Sequence, residues 1–127
     1  MRCSGKHERG AAAVEFALLL PVLLLLVVGI MEFGRAWYTQ ATLAGAAREA
    51  VREMAIHGPA NATSEAVNYS TGLGVTAGMV AISPGTCPST GNTDVTVTIT
   101  YPYTYLTGLI PGGGLTLRGM GKMRCNG

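Results

Sequence analysis

The chain has 127 residues, of which 13% are charged and 48% apolar, and a formal net charge of +2. With a membrane-length apolar segment near its start, it has room for one further small domain and not for two. The whole charge excess lies in residues 1–10, where Arg2, Lys6 and Arg9 oppose Glu8; beyond Gly10, six basic residues balance six acidic ones, so nucleic-acid binding has no support.

Residues 1–10, MRCSGKHERG, are polar and basic, end in glycine and have no apolar face, which reads as a cytoplasmic leader. From Ala11 to Met31 the only charge is Glu15. As a helix these 21 residues would be about 31 Å long, enough to cross the hydrocarbon of a bilayer. The basic leader puts residues 1–10 in the cytoplasm and everything after about Glu32 on the far side. Pro21 is tolerable as a kink in a long membrane helix, and Arg35, Trp37 and Tyr38 fit the interfacial belt on the exit side. A carboxylate inside such a segment costs roughly 2.5–3.5 kcal/mol, so Glu15 needs an explanation. It is either one member of an ion pair or a passenger near the interface of an ordinary anchor.

Phe33, Trp37, Ala44, Ala47, Val51 and Met54 recur at helical spacing up to Gly58-Pro59, predicting one helix over residues 11–57. Its second half is rich in small residues that allow close approach of another helix or a sheet. Asn61, Thr63 and Ser64 are candidate N-caps for a brief helical turn ending near Gly72. Val75–Ile82 reads as a strand, and Asp94–Tyr101 as a strand with Val95, Val97, Ile99 and Tyr101 on one face. Pro102–Gly114 reads as a loop whose Tyr103, Tyr105, Leu106, Leu109 and Ile110 pack back on the sheet, with the three glycines as a flexible hinge. A last strand, Leu115–Cys125, puts Leu115, Leu117, Met123 and Cys125 on one face. The organisation is thus a leader (1–10), a transmembrane helix (11–31), its exported continuation (32–57) and a small α+β domain (58–127). Cys3 falls on the reducing side. Cys87 and Cys125 fall where disulfides persist, either as a pair, which leaves no odd thiol, or as two free structural cysteines.

Gly10-Ala11-Ala12-Ala13-Val14-Glu15-Phe16-Ala17-Leu18-Leu19-Leu20-Pro21 resembles the prepilin processing site of type IV pilins, most closely that of the TadE-like pseudopilins of tight-adherence (Flp) pilus systems. The resemblance implies a pilin-like α+β fold, one long N-terminal helix packed on a small antiparallel sheet. It also implies cleavage between Gly10 and Ala11 by an integral-membrane aspartic prepilin peptidase. Glu15 becomes the fifth residue of the processed chain, followed by Phe16 where the commoner pattern has tyrosine. The implied partners are that peptidase, other pilins or pseudopilins, the pilus assembly platform and the membrane, with no cofactor and no small-molecule substrate; the bulky domain favours a minor subunit over a major one. Glu15 of one subunit would then neutralise the Ala11 amine of the next.

Other classes fit less well. A secretory signal peptide would have a shorter apolar core, and the region that should hold its cleavage site continues as a patterned helix. His7 and His57 are isolated, no spacing resembles a zinc site, and His57 at a helix end is placed to meet terminal carbonyls. Gly112-Gly113-Gly114 lacks the lysine of a phosphate loop. Asn61-Ala62-Thr63 and Asn68-Tyr69-Ser70 match a glycosylation pattern that capping explains as well. No catalytic residue is assigned. The alternative to a pilus subunit is a bitopic anchor whose exported domain binds something outside.

Overall fold

A computed structural model describes residues 5–89, 92–108 and 111–125; residues 1–4, Cys3 among them, and Leu109 and Ile110 of the expected apolar cluster lie outside the described residues. The fold is α+β. A helix α1, Gly5–His57, is followed by a helix α2, Pro59–Tyr69, two single 3₁₀ turns, Thr71–Leu73 and Ala77–Met79, and strands β1 Val80–Ser83, β2 Asp94–Tyr103 and β3 Leu115–Arg124. The strands form one antiparallel sheet in the order β1-β2-β3. The chain divides into two compact units, one ending at Gly34 and the other comprising Arg35–Gly127.

Helix α1 starts at Gly5 rather than at Ala11, so residues 5–10 are helical as well. Once a helix is nucleated, each added residue gains a hydrogen bond, and Lys, Glu and Arg propagate it well. At the other end α1 stops at His57 because Gly58 takes φ +93°, a left-handed value that a side chain resists, and Pro59 follows at the first position of α2. That start leaves Asn61, Thr63 and Ser64 inside α2 rather than capping it, and Thr63 Oγ1 donates instead to the Pro59 carbonyl at 2.9 Å.

In the second unit, the buried face of α1 is Thr39, Leu43, Ala46, Ala47, Ala50, Val51 and Met54. Trp37, expected on this stripe, is exposed, and so is Phe33 in the first unit. At about 100° per residue Trp37 stands roughly 200° from Thr39, on the opposite side of the helix. The stripe meets Val95, Val97 and Ile99 of β2, and Ala62 and Ala66 of α2 close the same core.

Strand β1 is shorter than the expected Val75–Ile82. Ala77 and Gly78 have poor strand propensity, and the segment turns there, with the Met79 amide donating to the Thr76 carbonyl at 3.0 Å. Strand β2 is longer, running through Pro102 to Tyr103, which pairs with Leu115. Gln40 Nε2 donates to the Arg118 carbonyl, so even-numbered residues of β3 turn their backbone groups away from β2. Their β2 partners turn theirs toward β1. Pro102 therefore faces a position beyond the end of β1, whose ladder stops at Val80–Ile99, and its missing N–H breaks no ladder bond.

The inward face of β3 also departs from expectation. Leu117 is half-buried and Cys125 buried, but Leu115 and Met123 are exposed, and the innermost positions are Gly119 and Gly121. A Cβ on Gly119 would overlap the Leu43 carbonyl of α1, and one on Gly121 the Ala47 carbonyl. The backbone of α1 thus lies directly on that of β3, an approach only glycine on one side and small residues on the other permit. Cys87 and Cys125 form a disulfide across 38 positions with a Cα–Cα distance of 5.5 Å, and the Cys125 amide donates to the Thr93 carbonyl at 2.8 Å.

Candidate functional site

The residues marked by the sequence for processing and assembly all lie in the first unit, on α1. The Gly10–Ala11 peptide bond is within the helix, and Glu15 follows Ala11 by four residues, just over one turn or about 6 Å of rise. Helix α1 passes through Pro21 without a break. Proline has no N–H to donate to the Ala17 carbonyl four residues back, so that one helical hydrogen bond is missing.

Among the described residues this segment is uncovered. The most apolar 18-residue window of the helix has 0% of its residues buried, and Phe16, Leu18, Leu19, Leu23 and Leu25 are all more than half exposed. Among the described residues Glu15 makes no hydrogen bond or ion pair. An exposed helix that is apolar all round is compatible with a single-pass membrane anchor. A carboxylate in such a segment is costly unless it is paired or faces the polar boundary.

Residues 10–52 match the TadE-like protein family. It is the family named by the resemblance at Gly10–Pro21, a pilus-related structural family and not an enzymatic one. The TadE-like match runs past the apolar segment to Arg52, so it includes most of the α1 face that packs on the sheet, while residues 53–127 fall outside it. No curated protein and no solved structure shows significant similarity to the chain.

In the second unit two arrangements went unread in the sequence. Arg35, assigned to an interfacial belt, is half-buried: its Nε donates to Tyr103 Oη at 3.0 Å, its Nη2 to the Thr104 carbonyl at 2.6 Å, and its guanidinium carbon stands 4.8 Å from the Tyr103 ring centroid. Tyr103 is one of the largest fully buried side chains, packed edge-to-face on Tyr105 with centroids 5.8 Å apart. Its place as the last inward residue of β2 follows from the alternation once Pro102 is allowed in the strand. The second is the glycine pair of β3. Glycine at alternate strand positions, opposite a helix rich in alanine, is the signal that could have found it.

His57 does not meet the terminal carbonyls; its Nδ1 lies 2.7 Å from Glu53 Oε2, the side chain one turn back. Among the described residues no group of three or more His, Cys, Asp and Glu could hold a metal ion.

Proposed function

We propose that this protein is a pseudopilin or minor pilin-like subunit that a prepilin peptidase cleaves between Gly10 and Ala11, and that it then acts in assembly of a tight-adherence pilus. The observation that carries this reading is the composition of the TadE-like segment. A glycine, Gly10, marks the step from basic to apolar sequence, and a lone carboxylate, Glu15, follows five residues after it on an uncovered apolar helix. Gly10 also lowers helix stability locally, by about 1 kcal/mol relative to alanine, which favours the opening a peptidase needs to reach a helical peptide bond.

Cleavage removes every residue of the basic excess and creates an α-amine at Ala11. In an assembly, Glu15 of one subunit pairs with that amine of its neighbour; at low dielectric the two charges are far better together than apart. The pairing sets an axial stagger between subunits, and the uncovered apolar faces of neighbouring helices fill the space that lipid occupies before assembly. Residues 1–10 face the cytoplasm and the sheet unit the far side of the inner membrane, following the charge asymmetry. The chain performs no chemistry of its own; its partners are the peptidase, other pilins and the assembly platform.

Two substitutions test the parts separately. Replacing Gly10 with leucine blocks processing, and unaltered processing would count against this site. Glu15→Gln keeps membrane insertion and processing but impairs piliation and recovery of the chain with other pilus subunits; normal piliation in that variant would remove the pairing role.

A further inference from the structure

Strand β3 is one edge of the sheet, and among the described residues its outer side meets no other strand. The Cys125 amide donates to the Thr93 carbonyl, and Gln40 Nε2 donates to the Arg118 carbonyl at 2.8 Å. Odd-numbered residues of β3 therefore bond β2, and even-numbered ones turn their N–H and C=O groups outward. Among the described residues the Gln40 bond is the one that reaches this outward row. The side chains of the same residues, Thr116, Arg118, Met120, Lys122 and Arg124, are exposed on the face of the sheet away from α1. An open edge of a strand 10 residues long is a template for another strand.

The edge is also cationic. Helix α1 runs in step with β3: Gln40 meets Arg118, the Leu43 carbonyl lies on Gly119 and the Ala47 carbonyl on Gly121. Ala44 and Arg48, at successive steps of four from Gln40, continue the side of α1 that borders this edge. Among the described residues Arg48 and Arg118 make no ion pair, and Lys122 and Arg124 share one carboxylate, Asp94, at 3.0 and 3.9 Å. Positive charge is thus in excess along the whole edge.

We infer that the outer edge of β3 receives an extended segment of another protein, one that carries carboxylates at alternate positions. Backbone pairing holds the segment to the even-numbered residues of β3, which sets every second side chain beside Arg118, Lys122 and Arg124 on the outer face. The side chains between them face the flank of α1 at Ala44 and Arg48. A carbonyl oxygen has two lone pairs, so the Gln40 bond does not close Arg118 to an incoming N–H. A second copy of the chain fits poorly, because it brings the same cations to the same edge. An antiparallel register centred on Met120 would set Arg118 of one copy opposite Lys122 of the other, and like charges directly opposite are destabilising. The contact lies wholly within the Arg35–Gly127 unit and depends on neither cleavage at Gly10 nor pairing at Glu15.

The test uses the full chain in zwitterionic detergent and three dye-labelled synthetic peptides of equal length. One alternates glutamate with valine, one alternates lysine with valine, and one carries its glutamates in a block followed by its valines. The alternating glutamate peptide should bind, read by fluorescence anisotropy, and should slow hydrogen exchange at the Arg118, Met120 and Lys122 amides. Met120→Pro removes an outward N–H without touching the ladder to β2, and should weaken that binding by up to about tenfold. Arg118→Glu combined with Lys122→Glu, which leaves the backbone edge intact, should reverse the preference so that the lysine peptide binds more tightly. Failure of the alternating glutamate peptide to bind would overturn the inference. Equal binding of the block peptide, or binding that leaves exchange at those amides unchanged, would overturn it by showing attraction to an anion without strand pairing. Slowed exchange without peptide that follows protein concentration would also overturn it, by placing a second copy on the edge.

Discussion

At Gly119 the packing of the sheet unit depends on a missing side chain. A methyl group there meets the Leu43 carbonyl, and α1 must move away from β3 along a face that also holds Ala46, Ala47 and Ala50. Gly119→Val should destabilise the full chain in detergent by about 3 kcal/mol in denaturant unfolding, at the upper end of overpacking costs. Met120→Val, at the exposed neighbouring position, should stay within about 0.5 kcal/mol. Equal losses at the two sites would show that the close approach of α1 to β3 is absent. Tyr103 carries a different dependence: its hydroxyl accepts from Arg35 Nε, and Tyr103→Phe leaves a half-buried guanidinium one acceptor short. The expected loss is about 1–2 kcal/mol in the same unfolding measurement, with the fold retained.

Among the elements, those with an uninterrupted period were legible in the sequence. The helix to His57 followed from apolar spacing and the Gly58-Pro59 stop, and the core of β2 followed from strict alternation through Val95, Val97 and Ile99. What escaped depends on contacts that no local pattern encodes. Pro102 argues against a strand until the short β1 is seen to end before it. The inward positions of β3 carry no hydrophobic signal because two of them are glycine. The start of α1 at Gly5 reflects propagation from a long helix rather than any preference of the polar residues for an apolar face. In the candidate site, Gly10, Ala11, Glu15 and Phe16 were marked by residue type and spacing, whereas the Arg35–Tyr103 clamp joins positions 68 apart and has no local signature. The disulfide ties the segment before β2 to the end of β3. In the chain-entropy model a loop of 38 positions contributes at most about 4 kcal/mol. Cys87→Ser should therefore lower unfolding stability by up to that amount, and reductant should lower the stability of the unsubstituted chain similarly but leave the Cys87→Ser chain unchanged.

Taken whole, the molecule joins a unit that buries its apolar face internally to one in which none of the described side chains is buried. The first encloses its own core; among the described residues of the second, α1 up to Gly34, the apolar surface is exposed and Glu15 makes no hydrogen bond or ion pair. That division matches what a subunit drawn from a membrane into an assembly requires: a self-contained folded unit and a helix whose surroundings can be exchanged. In the proposed function, the exchange begins with release of a new amine at Ala11. It is tested most directly by intact-mass and N-terminal fragment mass spectrometry of the protein extracted from membranes of cells with an active prepilin peptidase. The expected chain begins at Ala11; a chain that still carries residues up to Gly10 in those cells would rule out cleavage at this site.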